Sequence, residues 1–123
     1  MAENLWNTNF HFGDWLTPSV SFNFATGDVD MVQSAIRTMD IVPTCFYAYT
    51  TQLMAEIAKV LGKQEDEVYY KELDRHIKEA FVKECMDQSG EIKTQLQGVY
   101  VLALKMRLVP EDLRKNAVKK LKK

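Results

Sequence analysis

Four helical segments of alternating character, joined by connections of only a few residues, constrain this chain more than any other feature. The first, about Thr44 to Leu61, carries Phe46, Tyr49, Leu53, Ile57 and Val60 along one face, widened by Tyr47, Met54, Ala58 and Leu61. That width predicts a helix buried on most sides, and Gly62 supplies its left-handed stop. The second, about Gln64 to Met86, opens with Glu65, Asp66 and Glu67 at the positive end of its dipole and shows a narrower stripe of Val68, Leu73, Ile77, Ala80 and Phe81. Its other face spaces Glu67 to Lys71, Asp74 to Lys78 and Glu79 to Lys83 for ion pairs one turn apart, as a surface helix does. After the Asp87-Gln88-Ser89-Gly90 turn, the third segment, about Thr94 to Arg107, is apolar nearly all round from Leu96 to Met106. Pro110 then opens a fourth helix with Glu111 and Asp112 behind it and only Leu113, Ala117, Val118 and Leu121 as its stripe.

Wide, narrow, wide, narrow, with short connections, predicts antiparallel hairpins of one inner and one outer helix each, hence two layers. Such hairpins stack into an open solenoid or close into a toroid. The two pairs do not share the spacing or signature residues of a tetratricopeptide array, so a toroid segment is the expectation. In that arrangement the N-termini of both inner helices lie at one end. The Gly13-Asp14-Trp15 loop, the Val42-Pro43-Thr44 entry and the Glu91-to-Gln95 entry then converge on one face.

Ahead of the helices, residues 5–16 mix Trp6 and Trp15 with Phe10, Phe12, His11, Asp14, Asn7 and Asn9. Flat rings beside short polar side chains suit a ligand that is apolar on its C–H faces and hydroxylated at its edges, which describes a sugar. The alternative is an ordinary aromatic-rich loop whose rings plug the core while Asp14 braces a turn. Thr17 to Asp28 continues in loop composition, with Val20, Phe22 and Phe24 as anchors. Asp30 caps a short helix with Val32, Ile36 and Met39 on one face, which the Val42-Pro43 pair ends.

Sixteen basic against seventeen acidic residues give a net charge of −1, so nothing in the balance points to a general nucleic-acid partner or an acidic membrane surface, and neither is expected. The basic cluster from Arg114 to Lys123 reads as a solvated helix end that suits the C-terminal dipole. No apolar run approaches the length of a membrane span, and no leader pattern opens the chain, so a soluble piece is expected. Cys45 and Cys85 are isolated within apolar helical patterns and read as buried thiols; they also admit a disulfide, which leaves the redox compartment open. No Cys/His spacing holds a metal, Asp28 and Asp30 fit a helix cap better than a calcium loop, and no cofactor is expected.

With these elements placed, the sequence resembles the catalytic domain of bacterial α-L-rhamnosidases, a family of six-hairpin, (α/α)6-toroid glycosidases. The residues that carry the resemblance are Phe12-Gly13-Asp14-Trp15-Leu16, Tyr47 through Leu61-Gly62-Lys63, Tyr70 with Ile77 and Ala80-Phe81, Thr94-Gln95 before Tyr100 to Leu104, and Leu108-Val109-Pro110. They span nearly the whole chain. The resemblance implies an all-α segment of such a toroid, preceded by an irregular aromatic-rich loop, divided as 1–29 substrate-face loop, 30–41 short helix, 44–86 first hairpin and 94–122 second hairpin. It implies inverting hydrolysis of terminal α-L-rhamnosyl bonds by a parent enzyme, in which one protonated carboxyl group donates to the leaving oxygen and a separated carboxylate activates water.

The family's Arg-Asp-Glu-Arg-like acid motif is absent from this chain, and the base is expected beyond Lys123, so the catalytic pair is unassigned and the fragment alone is expected to be inactive. Asp14 and Trp15 match the family's Gly-Asp-Trp motif as substrate-binding residues, with His11 and Gln95 as lesser candidates; for Gln95 the competing role is helix capping. The implied partner is a rhamnoside in a bacterial cytoplasm or periplasm. Cutting two hairpins from a toroid bares apolar faces, so the isolated chain is expected to be a homodimer. The alternative is a non-catalytic helical module that binds protein through its inner face.

Overall fold

The structure is a computed structural model that describes residues 4–6, 13, 14, 20 and 22–121. Among these residues the fold is all-α, with helices α1 (Met31–Thr38), α2 (Val42–Val60), α3 (Gln64–Cys85), α4 (Gln97–Lys105) and α5 (Glu111–Leu121). Most of the aromatic-rich loop lies outside the described residues.

Local chemistry sets the boundaries. Asp30 caps α1, its Oδ1 accepting from the Gln33 amide at 3.0 Å. Pro43 does more than close the preceding segment, because α2 begins at Val42 and takes the proline into its first turn. The missing N–H of proline falls there among amides that have no helical partner in any case. At the other end of α2, Gly62 adopts φ +68°, its amide donates to the Lys59 carbonyl at 3.1 Å, and the Lys63 amide reaches back to Ala58 at 2.9 Å.

Helix α4 is shorter than the sequence predicts. Ile92 pairs with Met86 in an isolated bridge, Leu96 is extended, and its amide donates to the Thr94 hydroxyl at 3.2 Å. The chain therefore bends between Ile92 and Thr94 and stays non-helical up to Leu96, so the helix begins at Gln97 instead of Thr94. The preceding turn is fixed by the Asp87 carboxylate, which accepts from the Ser89 amide, the Ser89 hydroxyl and the Glu91 amide at 2.9, 2.7 and 3.0 Å. These bonds, that to the Ser89 hydroxyl foremost, hold the Asp87 carboxyl below its usual range.

Helix α2 packs along α3 and also touches α4, while α5 packs on α4. The core gathers Cys45, Ala48, Ile77, Phe81, Val99 and Tyr100, whose phenol both donates to the Ile92 carbonyl and accepts from its amide at 3.0 Å. On α3 the expected pairs Glu67–Lys71 and Asp74–Lys78 form, the latter at 2.6 Å. Glu79 does not pair with Lys83. It receives Arg75 at 2.6 Å, because the same guanidinium bridges to Glu72 at 2.9 Å, and Lys83 lies 3.6 Å from Glu84.

Helix α2 leaves bare, among the described residues, the large apolar face that a segment cut from a toroid is expected to expose. Its inward residues are small: Cys45, Ala48, Thr51, Ala55 and Ala58. Its large apolar stripe faces out, with Phe46 47%, Ile57 49% and Val60 85% exposed, so the helix is not buried on most sides. Small side chains let two long helices approach closely, and the large ones are left for a surface that the described residues do not cover. Helix α1 repeats the pattern, burying Ser34, Ala35 and Thr38 while Val32 and Ile36 point out.

Candidate functional site

Two buried hydroxyls on α1 decide where the chain before it runs. The Asp14 amide donates to Thr38 Oγ1 at 2.6 Å, and Ser34 Oγ donates to the Asp14 carbonyl. Thr38 also donates to the Ser34 carbonyl at 2.8 Å, so the hydroxyl that receives Asp14 is itself fixed. Gly13 makes the approach possible. Its φ is +52°, and a β-carbon there would meet Thr38 Oγ1, the Ala35 carbonyl oxygen at 2.9 Å and the Met39 nitrogen at 3.0 Å. The Gly-Asp step is therefore a place where backbone lies directly on a helix. The bonds to Ser34 and Thr38 run through the main chain of Asp14, and the residue itself is exposed.

A groove of about 320 Å3 opens beside Asp14. Val42 at the start of α2 lines it, together with Leu96, Gly98 and Val99 at the start of α4 and, further along, Val101 and Leu102. The loop, the α2 entry and the α4 entry thus converge on one face. Gly98 adds no side chain to the lining, and a β-carbon there would have nothing within 4 Å. Among the described residues that line it, Asp14 alone is charged. A carboxylate above an apolar floor can accept hydrogen bonds from hydroxyl groups while aliphatic side chains cover a C–H face.

Of the other candidates, Gln95 is exposed and does not line the groove, although its neighbour Leu96 does. It does not cap α4 either, because Leu96 occupies that position. His11 and Trp15 lie outside the described residues. Trp6 is placed: its amide donates to Thr44 Oγ1 at 3.2 Å and its ring meets Tyr47 edge-on at 6.2 Å, so this aromatic docks on the first turns of α2. Sequence reasoning missed Ser34, Thr38 and Thr44 as the anchors and Gly98 as part of the lining. The available signal was the Ser34-Ala35-x-x-Thr38 pattern, small and polar on the face opposite an apolar stripe.

Among the described residues no three His, Cys, Asp or Glu side chains come together as a metal site. Cys45 and Cys85 are free and buried. Burial pushes the Cys45 thiol up to about 12, with the nearby Cys85 adding to the rise, and burial likewise pushes Cys85 up to about 11 against the opposing pull of Lys93. Neither is a nucleophile at neutral pH.

The whole chain, residues 1–123, matches the bacterial α-L-rhamnosidase six-hairpin glycosidase domain. The chain belongs to this family. An α-L-rhamnosidase of Streptomyces avermitilis is 38% identical over 110 residues, which are 89% of this chain and 9% of that protein. One of Formosa agariphila is 31% identical over 112 residues, 89% of this chain and 11% of its own length. The crystal structure of the Streptomyces avermitilis α-L-rhamnosidase complexed with L-rhamnose superposes with a TM-score of 0.72 at 29% identity, covering 97% of this chain and 10% of that one. Native α-L-rhamnosidase from Aspergillus terreus shares the fold, with a TM-score of 0.77 at 24% identity over 92% of this chain and 12% of that chain. The chain thus spans about a tenth of the length of the relatives it matches. The helices are those of a segment of a helical-hairpin toroid. No helix among the described residues is long and apolar enough to cross a membrane.

Proposed function

We propose that this chain is part of the catalytic domain of a bacterial glycoside hydrolase that removes terminal α-L-rhamnose from glycosides or polysaccharides with inversion. The observation that carries the reading is the groove between the α2 and α4 entries with Asp14 fixed at its lip. In the proposed role Asp14 accepts from sugar hydroxyls and Trp15 covers a sugar face, with His11 and Gln95 further out. Residues 1–29 form the substrate-face segment, 30–41 the short helix, and 44–86 and 94–122 the two hairpins. Inversion requires two carboxyl groups about 6.5–9.5 Å apart, one protonated and one ionised, with a water between. Asp14 is the single carboxylate among the described lining residues, so the acid and base belong to other segments of a longer enzyme, and this chain alone is inactive.

Two measurements test the reading. In the complete enzyme, Asp14→Ala and Trp15→Ala should each lower kcat/KM at least about tenfold, a loss of roughly 1.4 kcal/mol of transition-state binding, while the melting temperature moves little. A large fall in melting temperature with normal activity per folded molecule assigns Asp14 to bracing the loop and overturns its sugar-binding role. The isolated chain should leave a chromogenic rhamnoside at the buffer rate, and turnover abolished by Asp14→Asn would place the chemistry here after all.

A second reading, a non-catalytic helical module that binds protein through its apolar face, is favoured by one observation, the outward stripe on α2. Coding sequence around this segment separates the two: an adjoining acid motif supports the enzyme, and stop codons on both sides support the module.

A further inference from the structure

The C-terminus of α4 breaks a local rule. The helix closes as α2 does, with the Leu108 amide donating to Ala103 at 2.9 Å and the Arg107 amide to Leu104 at 3.4 Å. Where α2 has glycine in the left-handed position, however, α4 has Arg107, at φ +59°. A non-glycine residue there is strained, and such strain persists where the side chain is needed.

The last carbonyls of α4 do not need it. Leu102 accepts from the Met106 amide at 2.8 Å, Leu104 accepts also from Arg114 Nη1 at 3.2 Å, and Met106 accepts from Gln52 Nε2 at 2.9 Å. Arg107 and Lys105 instead border a cleft of about 510 Å3, walled by Tyr49, Leu53 and Gln52. The two lysines across it are occupied, Lys71 by Glu67 and Lys78 by Asp74, and Gln52 takes the other Asp74 oxygen at 2.9 Å. Among the described residues Lys105 and Arg107 form no ion pair, and Glu56 is the remaining carboxylate on the cleft wall. Both residues also border an adjoining groove of about 440 Å3 that adds Arg114 and Glu111.

We propose that this cleft binds an oxyanion group, a carboxylate or sulfate, gripped by Arg107 and Lys105. The fork of a guanidinium matches the two oxygens of such a group, and an ammonium adds a mobile point charge. The site is separate from the Asp14 groove and does not rest on the rhamnosidase reading.

Calorimetric titration of the chain with glucuronate, inorganic sulfate and glucose, at low salt, tests it. Glucuronate and sulfate should bind with millimolar Kd and glucose should not. Tighter binding of glucuronate than of sulfate identifies an acidic sugar as the ligand, and equal binding identifies a small anion; either supports the site. Arg107→Gly relieves the strained backbone, so it should raise the melting temperature while weakening anion binding at least about fivefold, and Lys105→Gln should weaken it without that thermal gain. Opposite movements of stability and binding in Arg107→Gly are not produced by a merely structural arginine. Unchanged anion affinity in the double variant, or equal binding of glucose, overturns the proposal.

Discussion

The amide of Asp14 donates to the Thr38 hydroxyl at 2.6 Å across twenty-four residues, and Thr38 is buried. The position of the groove's one described carboxylate therefore depends on a hydroxyl in a different element. Thr38→Val keeps the shape and removes the acceptor, leaving a partly buried amide unsatisfied at a cost of about 1–3 kcal/mol. Urea denaturation should show that loss, and limited proteolysis should show faster cleavage between residues 6 and 20. An unchanged midpoint with unchanged cleavage would mean that Asp14 is held by something other than Thr38.

Gly13→Ala attacks the same contact from the other side. The added methyl would press on the Ala35 carbonyl and the Met39 nitrogen, which are helix backbone and cannot swing away, and the residue would keep a positive φ. More than about 1 kcal/mol should be lost. Because Gly13 lies ahead of α1 and not within it, the same proteolysis should respond before the global melt does. Resistance equal to the parent's would show that the segment has room there.

Local chemistry was legible in the sequence and facing was not. Gly62, Pro110, the Asp30 cap and the Asp87 turn act within four or five residues, so their side chains alone determine the outcome. The convergence of Asp14 with the two inner-helix entries followed from hairpin order, and the groove lies there. The stripe of Phe46, Leu53 and Ile57 announced only that α2 must be covered, not by what. Inside the described structure α2 is covered on its alanine side, where close helix approach selects small residues. The Ser34-Ala35-x-x-Thr38 pattern marks a small, polar face on α1, but not what that face holds, because the partner is a main-chain group twenty or more residues away.

The two thiols predict a pH dependence. In the unfolded chain they ionise near the ordinary value of 9, whereas in the fold burial holds them protonated up to about 12 for Cys45 and about 11 for Cys85. A folded pKa above the unfolded one means that their contribution is complete below the unfolded value of 9 and is lost progressively as pH rises from there through about 11 for Cys85 and about 12 for Cys45. The urea midpoint should therefore fall across that window, and the fall should flatten in the Cys45→Ala, Cys85→Ala double variant even though its packing is poorer. A thiol reagent at pH 8 should label the native chain far more slowly than the unfolded one. Rapid labelling of both thiols in the native state would contradict the burial on which this rests.

The apolar face of α2 predicts self-association of the isolated chain. Phe46, Tyr49, Leu53, Ile57 and Val60 recur every three or four residues on one exposed side, flanked by Met54. A monomer tolerates a contiguous apolar patch of a few hundred square ångströms. Covering about 600 Å2 per chain at roughly 25 cal/mol per Å2 gives a gross gain on the order of 15 kcal/mol, against an association cost of about 4–15 kcal/mol. A two-fold arrangement lets the same stripe cover itself, so a closed dimer follows rather than an open chain of copies. Ile57→Glu places a charge in the middle of that stripe without touching the alanine side that packs on α3. Sedimentation at micromolar concentration should show a dimer for the parent chain and a monomer for Ile57→Glu, with a cooperative melt in both. A parent chain that stays strictly monomeric and melts cooperatively would mean that the stripe is tolerated in water, and would favour a self-contained helical module over a segment that neighbouring hairpins complete.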